Sequence, residues 1–342
     1  MERLHIMPQN IVKENSVEQR GKRAKFWFEF LNRDDGRWLF KQNSADNTCE
    51  DIGEVLYYEI CRQVGLPCAE YHLASFVENG VEVHGVITKD YNPKKYVEIS
   101  GATLLIGYRN FIYDNENGKE IGIKNTLHSY EAALNNLKQN NSEIEIDESC
   151  MMQLKKMCLI DYLTGQMDRH AYNVTFLVNE EGKLIPAQIY DNGNCFRFNR
   201  STTYLETIAE QSSNTRKPYG LIDNIFKRSA PMLGVSTCTI CDEYNQASGA
   251  WTMIPKEGML ETFEDELALL MLQNPELQSF FINKIYGENV VGKACDVVNF
   301  GEDRAYLKKD AQFIFTTRVE RLSKLLQKHT ENYLQEKEGR AK

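Results

Sequence analysis

Alternating apolar and polar positions near the start of the chain predict a small antiparallel sheet. Residues 25–31 (KFWFEFL) alternate and are rich in aromatic side chains, a polar turn follows, and residues 38–41 (WLFK) return, which is typical of a hairpin. Residues 71–77 and 81–88 predict a second hairpin, because the Asn-Gly pair at 79–80 suits a tight turn.

A single helix is predicted between the two hairpins. The apolar residues from Ile52 to Val64 recur with helical spacing, and the Gly-Leu-Pro sequence at 65–67 is a stop signal. Thr48 and Asp51 resemble a capping box that would begin the helix. The polar segment 90–95 (DYNPKK) after the second hairpin marks the predicted end of an N-terminal lobe.

Helical patterns dominate the rest of the chain. Residues 151–163 and 313–334 carry apolar stripes with helical spacing, whereas residues 195–258 are polar and weakly periodic, which predicts a long surface segment. The patterns therefore predict the α+β class, with an N-lobe over 1–89 and a mostly helical C-lobe over 90–342.

Composition narrows the class of protein. Apolar residues make up 42% and charged residues 26% of the 342-residue chain, which excludes collagen-like, disordered and disulfide-scaffold classes. The net charge of −9 argues against general nucleic-acid binding and against stable association with an anionic membrane surface. Nine cysteines without a secreted framework indicate reduced thiols in a cytoplasmic protein, and the sequence leaves delivery into a host cell open.

The stretch 161–196 carries the candidate chemistry. Residues 174–178 and 184–190 predict two strands joined by a turn at 179–183, so residues equidistant from Gly182 should face each other. Asn173 and Asp191 meet that condition and are predicted as cross-strand neighbours. An amide oxygen and a carboxylate are hard ligands, which together suit Mg²⁺.

Asp168 lies five residues before Asn173, the spacing that kinase catalytic loops use between the residue that orients the acceptor hydroxyl and the metal-binding asparagine. The motif G-x-x-D-R-H-x-x-N over 165–173, followed by an apolar strand and Y-D-x-G over 190–193, resembles the catalytic and metal loops of HipA-like serine/threonine kinases and of phosphoinositide kinases. In these families the order is D-R-H or D-x-H rather than H-R-D.

A second group of residues supports the resemblance. Lys41 ends a predicted strand and Glu54 lies on the predicted helix, in the order of the lysine and helix carboxylate that kinases use on the ATP phosphates. The segment from Glu54 through Gly-Leu-Pro at 65–67 resembles the corresponding segment of HipA-like proteins, and Glu59 is the alternative partner for Lys41. Gly21 and Lys25 match the G-x-x-x-K phosphate loop of that family, although a basic solvated turn is an equally good interpretation.

The resemblance implies a bilobal protein-kinase-like fold with ATP between the lobes, and a bacterial origin. Asn173 and Asp191 would hold Mg²⁺, Lys41 would bind the phosphates, and Asp168 would position the acceptor oxygen. His170 would act mainly as a scaffold of the loop. Arg169 would pair with a carboxylate or with a phosphate, and the sequence does not choose between them.

The resemblance also implies the substrate class. A protein serine or threonine is the expected acceptor, with lipid or small-molecule phosphorylation as one alternative and a non-catalytic pseudokinase as another. Because only residues 1–20 precede the expected phosphate loop, we expect no N-terminal subdomain of the kind that HipA toxins carry, and an antitoxin partner is left open. Kinases of this type can phosphorylate their own phosphate loop, for which Ser16 is the expected acceptor.

Overall fold

The computed structural model describes residues 2–13, 25–34, 36–45, 47–90, 95–113, 120–202, 205–206, 231–236, 243–245, 250–252 and 259–340. Cα proximity groups the chain into two compact units, each built from three segments. Unit 1 comprises residues 1–93, 188–218 and 289–313, and unit 2 comprises residues 94–187, 219–288 and 314–342. The predicted lobes, 1–89 and 90–342, are single stretches of chain and stay a prediction.

Unit 1 contains a six-stranded sheet in the order β1-β5-β6-β4-β3-β2. Its strands are β1 (Leu4–Ile6), β2 (Ile11–Lys13), β3 (Lys25–Phe30), β4 (Trp38–Gln42), β5 (Tyr71–Glu78) and β6 (Val81–Lys89). The β1/β5 pair is parallel and the other pairs are antiparallel. Both predicted hairpins are confirmed, and the second turns at Asn79 and Gly80, which both have positive φ.

One sheet face of unit 1 forms an aromatic-rich core, since the alternating side chains of β3 and β4 point there. Its buried members are Ile6, Ile11, Phe28, Trp38, Phe40, Ala74, Phe76 and Ile87. Phe26 stacks on Phe40 with ring centroids 5.2 Å apart, which adds a directional contact to the area that is buried.

Helix α1 (Glu50–Val64) confirms the predicted helix, and Gly65 ends it in the left-handed conformation at φ 74°. The predicted capping box is wrong. Thr48 lies before the N-cap and donates its hydroxyl to Glu50 at 2.7 Å, while the side-chain oxygen of Asn43 accepts the Asp51 N–H at 2.9 Å. The Asn43 side chain, from the segment that follows β4, therefore caps the first turn of the helix. Helix α7 (Val290–Val297) packs against α1.

Unit 2 is mostly helical and adds a four-stranded sheet in the order β10-β12-β11-β7. Its helices are α2 (Gly101–Gly107), α3 (Leu127–Asn140), α4 (Ser149–Thr164), α5 (Met259–Gln273) and α6 (Pro275–Lys284). The strands of unit 2, inside and outside this sheet, are β7 (Tyr96–Ser100), β8 (Phe111–Tyr113), β9 (Glu120–Ile123), β10 (Glu145–Ile146), β11 (Thr175–Asn179), β12 (Lys183–Pro186), β13 (Glu243–Asn245) and β14 (Ala250–Thr252).

The predicted helices over 151–163 and 313–334 are confirmed within α4 and within α8 (Ala305–Arg340). Helix α8 begins in unit 1 and ends in unit 2. Within the described ranges, no helix is both long and apolar enough to cross a membrane. Much of the predicted surface segment 195–258 lies outside the described residues.

The predicted register of the β11/β12 hairpin is wrong. Val178 faces Leu184, so the pairing is centred on residue 181 rather than on Gly182, and β12 ends at Pro186. Asn173 lies in the 3₁₀ turn 171–173 and Asp191 lies beyond β12, so neither belongs to the ladder. Their predicted cross-strand pairing is corrected, and their role at a metal stays a prediction.

Candidate functional site

Lys41 lies in the middle of the unit 1 sheet, opposite Lys25 on β3 and Val86 on β6. Gly85 allows β6 to approach at this point, since a Cβ at Gly85 would lie only 2.2 Å from the Lys41 carbonyl oxygen. The strand that carries Lys41 is therefore paired with a neighbour on each side, and β6 packs against it closely. Gly21, the other predicted phosphate-loop residue, lies outside the described residues.

The Lys41 ammonium lies between two carboxylates. Its Nζ donates to Glu54 Oε1 at 2.5 Å and also to Asp191 Oδ1. The Glu54 side chain is 1% exposed, the Lys41 side chain 11% and the Asp191 side chain 35%. A charge buried as deeply as Glu54 requires a partner, because desolvation would otherwise cost several kcal/mol. The Asp191 end of the group is the part open to solvent.

Glu54, rather than Glu59, is the carboxylate that contacts Lys41. Glu59 instead pairs with Arg62 at 2.7 Å on the same helix, and hydrogen bonding to Glu59 raises the pKa of Arg62. The second oxygen of Glu54 accepts the Asn192 N–H at 2.6 Å. One helix carboxylate therefore connects the β4 lysine with the main chain that follows Asp191.

Asp191 has a left-handed backbone, with φ 58°, and its N–H donates to the Tyr71 hydroxyl at 3.2 Å. Burial, followed by the charge of Glu54, raises the pKa of Tyr71 well above its usual value, so the hydroxyl stays neutral. Sequence reasoning missed Tyr71, because nothing in its spacing connects it with Asp191.

The Gly-Leu-Pro segment after α1 holds the chain that leads into Asp191. The Ala69 N–H donates to the Ile189 carbonyl at 2.8 Å, and the Ile189 N–H donates to the Pro67 carbonyl at 3.2 Å. The Gly-Leu-Pro segment, on which part of the resemblance rests, therefore binds the main chain just before Asp191. The segment fixes the approach to the aspartate.

Helix α1 also packs directly against the turn that follows Asp191. A Cβ at Gly53 would lie 3.0 Å from the Gly193 carbonyl oxygen, and the Cys195 thiol donates to the Gly53 carbonyl at 3.2 Å. This contact is tighter than ordinary van der Waals packing allows for a larger residue. The contact at Gly53 helps to fix the position of Glu54, the next residue of α1.

The second set of predicted residues lies on the 168–173 loop of unit 2. Helix α4 ends at Gly165 in the left-handed conformation. The Asp168 N–H donates to Gln166 Oε1 at 3.2 Å, and Asn173 Nδ2 donates to the Asp168 carbonyl at 2.9 Å. The side chain of Asn173 therefore closes the loop by binding the main chain of Asp168, five residues earlier.

Arg169 pairs with a carboxylate, which decides between the two alternatives that the sequence leaves open. Its Nε and Nη2 donate to the two oxygens of Asp161 at 3.0 and 3.2 Å, and both side chains are fully buried. A two-pronged arginine contact fixes orientation as well as distance. Sequence reasoning missed Asp161, although it is the only acidic residue within α4.

His170 lies on the same loop, with its ring centroid 6.1 Å from that of Tyr172. Its Nδ1 is buried and makes no hydrogen bond to the residues that the structure describes. The predicted scaffold role of His170 stays a prediction.

Gly101, the first residue of α2, packs against the 168–173 loop. A Cβ at this position would lie 2.3 Å from the Tyr130 hydroxyl oxygen and 2.9 Å from the Ala171 carbonyl oxygen. The Gly101 N–H also donates to the Val174 carbonyl at 2.7 Å. The start of α2 therefore packs so closely against the loop that residue 101 has no room for a side chain.

We predict that Gly101→Ala lowers stability by about 1–3 kcal/mol, because overpacking forces the loop or Tyr130 to move. Chemical denaturation measures the loss. Gly107→Ala at the other end of α2 is the matched control, since nothing lies within 4 Å of a Cβ there. Equal stability of the two variants would contradict the packing described.

No three His, Cys, Asp or Glu side chains within the described ranges cluster in a way that could hold a metal ion. The predicted magnesium ligands are instead one asparagine and one aspartate. The structure places Asp191 with Lys41 and Glu54 in unit 1, and it places Asn173 with Asp168 in unit 2.

Comparisons with solved structures find similar chains. The crystal structure of CtkA, a proinflammatory kinase of Helicobacter pylori, matches with a TM-score of 0.62 and 14% identity over 96% of this chain and 98% of that chain. HipA of Shewanella oneidensis MR-1, solved with HipB and operator DNA, matches with a TM-score of 0.46 and 11% identity over 91% of this chain and 67% of that chain. The similarity to CtkA confirms the α+β, kinase-like fold.

A comparison with curated protein sequences finds no significant match. A family model described as the HipA-like C-terminal domain matches residues 17–250, which is more than half of the chain and includes both sets of site residues. The chain therefore belongs to the HipA-like family, a membership that supports kinase activity and, with it, the use of a nucleotide.

Proposed function

We propose that this chain transfers the γ-phosphoryl group of ATP, with Mg²⁺, to a serine or threonine hydroxyl of a protein. The observation that supports this most is the contact of Lys41 with both Glu54 and Asp191. Kinases use a strand lysine held by a helix carboxylate to bind ATP phosphates, and they use a nearby aspartate to bind the metal.

The donor chemistry fits magnesium. The Asp191 carboxylate is the most exposed member of its group, so a cation can reach it. Asn173 uses Nδ2 as a donor to the Asp168 carbonyl, which leaves Oδ1 as the atom of the amide that can bind a cation. Both are hard oxygen ligands. Bound Mg²⁺ would neutralise the charge that develops on the phosphate oxygens.

The position of Lys25 supports an anion-binding site on the sheet face that carries Lys41. It lies directly opposite Lys41 in an antiparallel pair, where two like charges are unfavourable unless negative charge is present nearby. The carboxylates of Glu54 and Asp191 supply part of that charge, and nucleotide phosphates would supply more. In this proposal Lys25, with Gly21, contacts the phosphates.

Asp168 would act on the acceptor substrate: its carboxylate would orient the acceptor hydroxyl and accept its proton. The buried pair of Arg169 and Asp161 holds the loop, so the carboxylate of Asp168 does not have to be ordered at each turnover. Protein is the proposed acceptor rather than a membrane lipid, because the net charge of −9 opposes binding to an anionic bilayer.

The test is transfer from γ-labelled ATP by the full chain, with Mg²⁺ or with a chelator, to a protein mixture or to phosphoinositide vesicles. We expect label on protein hydroxyls only with Mg²⁺, and we expect Asp191→Asn to lose most of the turnover. Labelled lipid would establish the lipid alternative. Absence of transfer to any acceptor, with ATP still bound, would establish a pseudokinase.

We also predict autophosphorylation. Ser16 is the only hydroxyl residue before Lys41, and it lies near a cluster of basic residues between 20 and 25. A phosphate there would add a charge of about −1.5 to −2 and attract those basic side chains away from ATP. Mass spectrometry after incubation with ATP and Mg²⁺ should find phosphate on Ser16 and a parallel loss of activity. Phosphate confined to hydroxyls such as Ser201, with a gain of activity, would contradict this.

A further inference from the structure

Asn125, two residues before α3, uses both donors and the carbonyl oxygen of its side-chain amide in hydrogen bonds. Its Nδ2 donates to the Arg169 carbonyl at 2.8 Å and to the Met232 carbonyl at 3.0 Å, and its Oδ1 accepts the Tyr130 hydroxyl at 3.1 Å. The residue is buried, with 7% of its surface exposed. An amide with both donors bound to carbonyls and its oxygen held by a hydroxyl keeps two separate stretches of main chain at a fixed distance.

The main chain around Asn125 binds the same second stretch, residues 231–236. The Gly234 N–H donates to the Asn125 carbonyl at 3.1 Å, and the Leu127 N–H donates to the Gly234 carbonyl at 2.9 Å. The Cys158 thiol donates to the Leu233 carbonyl at 3.4 Å. Residues 231–236 are therefore attached both to the start of α3 and to α4, the helix that leads into the 168–173 loop.

We infer that Asn125 is a positioning residue, which sets the 168–173 loop and couples it to residues 231–236. The inference rests on the proposed function. Asn125 itself contacts the carbonyl of Arg169, the neighbour of Asp168, so it acts on the reaction through the loop. Displacement of residues 231–236 is transmitted to the loop through the Asn125 amide, which contacts both stretches.

Residue type matters at this position because both partners of Nδ2 are carbonyl oxygens. Aspartate has the same shape as asparagine, but it would place an oxygen against two oxygens and would lose both donated hydrogen bonds. Asn125→Asp is therefore the sharpest substitution. Asn141→Asp is the matched control, since the exposed Asn141 also donates Nδ2 to a carbonyl, that of Leu137 at 3.1 Å, at the other end of α3.

The experiment measures transfer kinetics, nucleotide affinity and hydrogen exchange for the full-length variants. We expect Asn125→Asp to lower kcat about 100-fold, the order of loss that follows a displacement of about 1 Å, with nucleotide affinity unchanged. Exchange should rise in both 168–173 and 231–236. Asn141→Asp should match the wild type in all three measurements.

A second variant guards against simple unfolding. Tyr130→Phe removes only the hydroxyl that orients the Asn125 amide, so we expect a smaller loss of kcat, about tenfold, at wild-type KM for ATP. Faster exchange in only one of the two stretches, or wild-type kinetics and exchange in Asn125→Asp, would overturn the inference. If the wild type transfers no phosphate, the proposed function fails, while exchange still decides whether Asn125 couples the two stretches.

Discussion

Replacing Asp168 by alanine is expected to lower kcat for phosphoryl transfer by about 10³-fold, which is within the range lost with a catalytic acid or base. Nucleotide affinity should be unchanged. Alanine keeps the Asp168 N–H contact to Gln166 and the carbonyl contact to Asn173, and it removes the carboxylate that would orient the acceptor. Single-turnover kinetics, combined with calorimetric titration of a non-hydrolysable ATP analogue, separates the two effects.

Asp265→Ala is the control for this measurement, because Asp265 is an exposed aspartate of the same unit that pairs with His329. It should behave as the wild type. A comparable loss of analogue affinity in Asp168→Ala would mean that this residue binds nucleotide and that its role has been assigned wrongly.

Lys41→Met is expected to lower both nucleotide affinity and stability. The substitution leaves the Glu54 carboxylate, which is 1% exposed, without its cation, and breaking such a pair costs about 3 kcal/mol. Urea denaturation measures this loss, and calorimetry with the ATP analogue measures the loss of affinity.

The double variant Lys41→Met/Glu54→Gln separates the two effects. Glutamine removes the uncompensated charge and keeps an oxygen that can accept the Asn192 N–H, so most of the stability should return. Nucleotide affinity should not return, because the phosphate-binding cation is still absent. Full recovery of affinity in the double variant would show that Lys41 has only a structural role.

The local features of the fold could be predicted from sequence. Alternation and an Asn-Gly turn are enough for the hairpin at 71–88, and Gly65 is enough for the end of α1, because each depends on residues that are close in the chain. The sequence also predicts that Lys41 pairs with a carboxylate of the helix. The sequence left Glu54 and Glu59 as alternatives, and packing of α1 selects Glu54.

Features that depend on distant contacts or on exact turn geometry could not be predicted. The β11/β12 register moves because Asn179 closes the turn through its side chain, accepting the Lys183 N–H at 2.7 Å. Tyr71 and Asn125 contact partners that are close in space and remote in sequence, and Asp161 contacts Arg169 across the end of α4. No spacing rule identifies such supporting residues from a single chain.

The close packing at Gly53 has a consequence for inhibitor design. A compound that opens space by moving α1 would have to break the Cys195 contact to Gly53 and the Asn192 contact to Glu54, both made by the turn that follows Asp191. That cost subtracts directly from the binding free energy. A ligand that presents one anionic group to Lys41 while α1 keeps its place avoids it, so fragment screening should favour small anions over bulky groups that wedge the helix.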